Sequence, residues 1–290
     1  MAKAPSDIAA SARARLLNLS RASGQPFDLV LTRYVLERLL YRLGRSGHRD
    51  RFVLKGAMLL TTWLAHGDRG TRDLDLLAYG DAGEARIGGV FREIMATPVD
   101  DDGVTFDGEG LHLEPIREGD DYGGTRLRTT ATLAGARVPV VVDIAFGDST
   151  APGLEEIDYP VLLDQAAPRL LAYAPETVIA EKLQAMVTLG RANTRMKDFY
   201  DVWSLAGRPE GHDPARLVVA IRATFARRRT PLPEGLPDAL TPDFGSDLDK
   251  QRQWAAFVAD IGDAPRDLAA VIAALAAFAE PLLSAARLGD

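Results

Sequence analysis

The sequence predicts an α+β protein: N-terminal helices lead into a mixed sheet, and a helical region follows from a boundary near residue 165. Three observations carry this. Apolar residues recur at helical spacing through about residue 47. Short apolar or alternating runs between glycine-rich turns occupy 52–148, and helical spacing then returns from about residue 166.

In order, "SDIAASARARLLNLSRASG" reads as a helix with Ser6 or Asp7 as its cap and a glycine stop. "PFDLVLTRYVLERLLYRLGRSG" repeats Leu29, Tyr34, Leu36, Leu39 and Leu40 near helical spacing. "RFVLKGAMLLTTWLAHG" reads as a strand at 52–54, a break at Lys55-Gly56 and a helix over 57–65. Residues 71–79 form the next strand, and "VTFDGEGLHLEPIRE", "TRLRTTATLAG" and "ARVPVVVDIAFGD" supply the rest of the sheet. The acidic stretch 100–102 reads as a solvated turn. Helices are expected in "APETVIAEKLQAMVTLG", "RMKDFYDVWSLAG", "DPARLVVAIRATFARRR", "DKQRQWAAFVADIG" and "PRDLAAVIAALAAFAEPLLSAARL", with "TPLPEGLPDALTPDFG" as a loop. There is no internal repeat.

Composition narrows the function. A net charge of −7 over 290 residues gives no global attraction for nucleic acid, so any such affinity is local. The chain has no cysteine, which excludes disulfides and thiolate metal sites. The N-terminus has no apolar signal core and no stretch reads as membrane-spanning, so the expectation is a cytoplasmic protein without a membrane partner. The four histidines, at 48, 66, 112 and 212, have no metal-ligand spacing.

The chemistry concentrates on "TRDLDLLAYGD". Side chains on a strand alternate faces, so Asp73 and Asp75 point one way while Leu74 and Leu76 point into a core. Two carboxylates that close repel unless a cation compensates them, and Mg²⁺ suits a few carboxylate oxygens plus waters and substrate phosphates. The competing interpretation is two aspartates at the wet end of an edge strand. "VPVVVDIAF" places Asp143 inside an apolar strand, where a lone carboxylate is expensive. It reads as a third metal ligand, for one or two ions, or as the base for an attacking hydroxyl; an aspartate bonded to backbone or to a local arginine is the alternative. Upstream, Gly56 permits close backbone approach to a phosphate, Lys55 adds charge, and a following helix N-terminus would add its dipole. No Walker sequence is present.

The helical region offers Lys182, and Lys197, Asp198 and Asp201 at helical i,i+3 and i,i+4 spacing. These are ordinary helix ion pairs or the cationic side of a triphosphate site. Asp198 or Asp201 either orients Lys182 or meets the nucleotide. Arg191 and Arg195 lie nearby, and Arg227, Arg228 and Arg229 end an arginine-rich, acid-free segment suited to an RNA backbone. Thr71, Arg69 and Arg72 flank the acid pair. A phosphate on Thr71 would repel metal and nucleotide.

"RFVLKGAMLL…TRDLDLL", "VVVDIAFGD", "AYAPETVIAEKLQAM" and "RMKDFYDVW" together resemble the AbiEii/AbiGii (MenT-like) toxin nucleotidyltransferases of the DNA polymerase β-like superfamily, over roughly residues 7–205. The resemblance implies a bilobed chain, with a nucleotidyltransferase domain over 1–165 and a helical domain over 166–290. It implies the toxin of a type IV toxin–antitoxin pair, with a cognate antitoxin as partner. The implied reaction transfers nucleotides from an NTP, with Mg²⁺, to an RNA acceptor such as the tRNA 3′ end. It places the family's acid pair on Asp73 and Asp75, its lysine on Lys182, and its K-D-x-x-D motif on Lys197, Asp198 and Asp201. Lys55, Gly56, Thr71, Arg72, Lys182 and Lys197 are then the nucleotide contacts, and Arg191, Arg195 and Arg227–Arg229 the RNA contacts. A transferase acting on a protein or small molecule, or a non-catalytic nucleotide- or antitoxin-binding module, are the other readings.

Overall fold

The computed structural model describes residues 7–64, 70–118, 122–208 and 210–289. Arg69 and His66 lie outside the described residues. The chain divides into two compact units, Met1–Leu59 with Gly70–Gly147 and Glu156–Ala172, and Leu60–Arg69 with Asp148–Glu155 and Tyr173–Asp290.

The elements of the first unit are helices α1 (Ile8–Ser23) and α2 (Phe27–Arg45), strand β1 (Phe52–Lys55), the single-turn α3 (Gly56–Leu60), β2 (Asp73–Ala78), α4 (Glu84–Met95), β3 (Val104–Phe106), β4 (His112–Glu118), β5 (Tyr122–Leu133), β6 (Ala136–Phe146), β7 (Leu154–Asp158) and β8 (Arg169–Tyr173). α3, β7 and β8 run across the division between the units. Asp7 caps α1 by accepting from the Ala10 amide at 2.9 Å, and Gly24 ends it in the left-handed region at φ 71°.

The strands form one mixed eight-stranded sheet in the order β3-β5-β6-β2-β1-β8-β7, with β4 added on β5. β2 runs antiparallel to β1 and parallel to β6, and β6 runs antiparallel to β5. The alternation expected of β2 is present: Leu74 and Leu76 are buried, Asp73 and Asp75 only partly so. β6 does the same, burying Val138, Val140, Val142 and Ile144 while Asp143 faces the other way. α2 packs along β6 with Tyr34, Val35 and Leu39 fully or almost fully buried.

Four local expectations change. The helix after Gly56 spans Gly56–Leu60, so its dipole is that of little more than one turn. α4 and β8 were not legible: α4 carries two glycines within its apolar stripe, and β8 is a five-residue strand inside the stretch assigned to helices. The acidic stretch is not a solvated turn throughout. Asp102 is buried and takes a bidentate pair from Arg42 at 2.6 and 3.1 Å, because α2 passes directly over it. Finally, α10 (Leu268–Leu288) is long and apolar enough, by length and composition, to cross a membrane.

α2 also buries Glu37. Its carboxylate accepts from Arg33 Nε at 3.1 Å and from the Leu162 amide at 3.0 Å. Burial pushes its pKa from 4.5 up to about 7, against the pull of those donors. The folded state therefore binds this proton more tightly than the unfolded chain. Its contribution favours folding fully below pH 4.5 and is lost as pH rises to about 7. Glu37→Gln should flatten this slope, changing the wild-type-minus-variant stability by up to about 3 kcal/mol across that window. Urea titrations at several pH values measure it, and parallel profiles would contradict the assignment.

In the second unit, α5 (Pro175–Leu189) packs on α6 (Met196–Ala206) and α7 (Pro214–Arg227), followed by α8 (Pro242–Ser246), α9 (Leu248–Val258) and α10. α10 lies on α6, α7 and α8 through Leu268, Val271, Ile272, Leu275, Ala279, Leu282 and Leu283, which recur every three or four residues. It buries that stripe within the unit.

Candidate active site

In the first unit, register places charged residues in a lateral row. Lys55 on β1 pairs with Asp75 on β2, Asp75 with Asp143 on β6, Asp143 with Arg126 on β5, and Arg126 with Glu114 on β4. Residues directly opposite one another share a face, so five charges stand side by side over the apolar core. Asp73 sits two residues along the same face and accepts a hydrogen bond from the Thr71 hydroxyl. The sheet therefore brings Lys55, Thr71, Asp73, Asp75 and Asp143 onto one surface.

Gly56 explains how Asp75 is seated. Its φ of 72° is in the left-handed region, and a Cβ there would lie 2.5 and 2.6 Å from Asp75 Cγ and Cβ. The carboxylate rests against bare backbone that any other residue would fill. As hard oxygen donors on one face, Asp73 and Asp75 are of the kind that suits a divalent cation.

Asp143 is committed elsewhere. Arg126 donates from Nε to Oδ1 at 2.7 Å and from Nη2 to Oδ2 at 2.6 Å. The Asp143 carboxylate holds the guanidinium in its charged form still more firmly than usual. Among the described residues no group of three or more His, Cys, Asp or Glu is placed to hold a metal. Arg126 was missed in the sequence, although "TRLRTT" alternates two arginines around buried Leu127. Arg72 points to Asp28 at the start of α2, 2.6 Å away, in an exposed pair.

In the second unit, Lys182 of α5 lies 2.8 Å from Asp198 and 2.8 Å from Asp201, both on α6. The aspartate side chains are 1% and 0% exposed and the lysine 14%, so the carboxylates hold the ammonium rather than face solvent. Arg195 adds a second cation to Asp198 at 2.8 Å. Lys197 is exposed on the same helix. Arg228 is turned inward: it donates to Gln184 at 2.9 Å and lies 3.3 Å from Glu181 and 3.7 Å from Asp148. It braces α5 rather than meeting solvent as its neighbours do. Arg227 and Arg229 are exposed, and Arg191 reaches Asp247 only at 4.0 Å.

A family model described as "Nucleotidyl transferase AbiEii toxin, Type IV TA system" matches residues 38–280. Two solved structures are similar across 89% of the chain. One is JHP933 from Helicobacter pylori, at 14% identity over 91% of that chain with a TM-score of 0.49. The other is a Helicobacter pylori protein described as a candidate nucleotidyltransferase, at 15% identity over 94% of that chain with a TM-score of 0.49. No curated protein matches.

Proposed function

The chain belongs to the AbiEii family of type IV toxin nucleotidyl transferases, and from that premise we propose that it transfers a nucleotidyl group from an NTP, with Mg²⁺, to an RNA acceptor, the 3′ end of tRNA. The observation that carries the reading is the row Lys55–Asp75–Asp143–Arg126 with Gly56 opened against Asp75. In the reaction, the acceptor hydroxyl oxygen bonds to the α-phosphorus, pyrophosphate departs with the electron pair of the broken P–O bond, and the hydroxyl proton passes to a base or to solvent.

Asp73 and Asp75 would hold the cation, which when bound supplies charge neutralisation on the triphosphate. Thr71 fixes the Asp73 carboxylate through its hydroxyl. Lys55 and the backbone at Gly56 take phosphate oxygens, because a left-handed glycine leaves its amide approachable. Arg72 would meet the nucleotide only by leaving Asp28, an exposed pair that is worth little. In the second unit we assign the Lys182 ammonium as a phosphate-binding cation, with Asp198 and Asp201 as its positioning residues and Lys197 as a further contact. Arg191, Arg195, Arg227 and Arg229 are the proposed RNA-backbone contacts. The cognate antitoxin is the protein partner, and the cytoplasm, where NTP and tRNA are found, is the proposed compartment.

The test is incubation of the protein with each α-labelled NTP, Mg²⁺ and total RNA. Label in tRNA supports the reading. Label on a protein or small molecule transfers the activity to another acceptor, and no label with any NTP points to a non-catalytic nucleotide- or antitoxin-binding module.

A further inference from the structure

We propose that the second unit carries a further binding site, for a small organic cation with an apolar body, in the cavity between α6 and α10. The site lies apart from the charged row on the sheet and does not rest on nucleotidyl transfer.

The cavity holds about 520 Å³, within the roughly 300–1,000 Å³ of small-molecule sites. All of its lining residues belong to the second unit. Tyr200, Trp203 and Ser204 stand at i, i+3 and i+4 on α6, so they share one stripe of that helix. Phe278 of α10 and Asp263, in the turn before α10, stand across from them in the lining. Ala274 of α10 is exposed and too short to fill the space. The aromatic walls are fixed by their own neighbours. Tyr200 lies 6.3 Å from Trp203 and 5.9 Å from Phe257, and Phe278 lies 6.1 Å from His212, ring centre to ring centre. Rings held in this way lose little freedom when a guest enters.

The charge of the lining selects the guest. Asp263 is the sole charged residue there among the described residues. Its carboxylate has no hydrogen bond or ion pair among them, and neither has the Ser204 hydroxyl. A carboxylate with no cation beside it attracts a cationic guest and repels an anionic one. The aromatic faces act in the same sense, because the ring quadrupole draws cations. Nucleotides and other phosphates are therefore disfavoured, which separates this cavity from the phosphate site proposed at Lys182. The Ser204 oxygen can accept an N–H from the same amine. Asp263 is exposed, so its attraction alone is modest. Burial of the apolar body supplies most of the affinity, and the charge supplies the choice between guests.

The experiment is isothermal titration calorimetry of the full chain with three probes that share one aromatic body: naphthylethylammonium, naphthylethanol and naphthylpropionate. Wild type should bind the ammonium about tenfold more tightly than the alcohol, and the carboxylate more weakly than either. Asp263→Asn should weaken the ammonium about threefold and leave the alcohol unchanged. Ala274→Phe should weaken ammonium and alcohol alike by at least about tenfold, because the new ring takes the space of the guest. Circular dichroism checks the folding of each variant. Equal affinity for ammonium and alcohol in wild type, or a preference left intact by Asp263→Asn, overturns the cationic assignment. Ammonium binding unchanged in folded Ala274→Phe overturns the location. No binding of any probe at millimolar concentration overturns the site itself. Where Ala274→Phe does not fold, Asp263→Asn decides alone, since that exposed carboxylate has no partner to lose.

Discussion

Gly56→Ala is expected to lose both stability and transfer. Two separate penalties act at this position. An alanine at φ 72° costs about 1–2 kcal/mol because its Cβ crowds the following carbonyl. The same Cβ would overlap the Asp75 side chain, and forcing a packed group aside typically costs a further ~1–3 kcal/mol. Gly24 separates the two, since it has φ 71° and a Cβ added there would meet nothing within 4 Å. Urea midpoints should therefore fall further for Gly56→Ala than for Gly24→Ala. Nucleotide transfer should survive in Gly24→Ala and fail in Gly56→Ala, because the displaced carboxylate leaves its proposed place at the substrate. Equal midpoints with full activity in both would show that Asp75 does not need its seat against Gly56.

Lys182→Met should strongly destabilise the second unit. It leaves Asp198 and Asp201, 1% and 0% exposed, without the ammonium that both contact. Breaking a buried charge pair costs about 3–5 kcal/mol because the stranded carboxylate is desolvated. Arg195 still serves Asp198 at 2.8 Å, while Asp201 loses its 2.8 Å contact with the ammonium. The double variant Lys182→Met/Asp201→Asn should therefore recover most of the stability. It should not recover transfer, because the charge proposed to bind phosphate remains absent. That split between folding and activity is the useful result. A double variant that regains both would make Lys182 a purely structural residue.

The face chemistry of this protein was legible because period-2 alternation is a local property. "DLDLL" dictates that Asp73 and Asp75 share a side once the segment is a strand, and the strand follows from its leucines. The same rule put Asp143 on the open face of β6. Register was not legible. Nothing local states that Asp75 lies opposite Asp143 or that β5 brings Arg126 beside it, since strand order is decided by long-range packing. Hence Asp143 reads as a ligand, a base or the partner of a local arginine, and only the register identifies that arginine as Arg126, 17 residues earlier.

The same limit explains Asp102 and Arg228. Each sits in a run of like charges that reads as solvated, and each is drawn inward by partners from a distant element: Arg42 from α2, and Gln184 with Glu181 from α5. The Lys182 cluster lay in between. Helical spacing showed that Asp198 and Asp201 share a face of α6, and only the packing of α5 on α6 shows that they clasp the lysine. The α4 helix was missed for a different reason: Gly88 and Gly89 interrupt its apolar stripe, and glycine lowers helix propensity by about 1 kcal/mol.

Nucleotidyl transfer is proposed to take place on the Asp73–Asp75 face. Its most direct measurement is the initial rate of label transfer from α-labelled NTP to tRNA by wild type and by Asp73→Ala, at matched concentrations of protein shown to be folded. Asp73 is only partly buried and lies at the start of β2, so its removal should leave the melting transition nearly unchanged. The rate should fall by about 1,000-fold. A folded Asp73→Ala protein that transfers label at the wild-type rate would place the chemistry somewhere other than this row of charges.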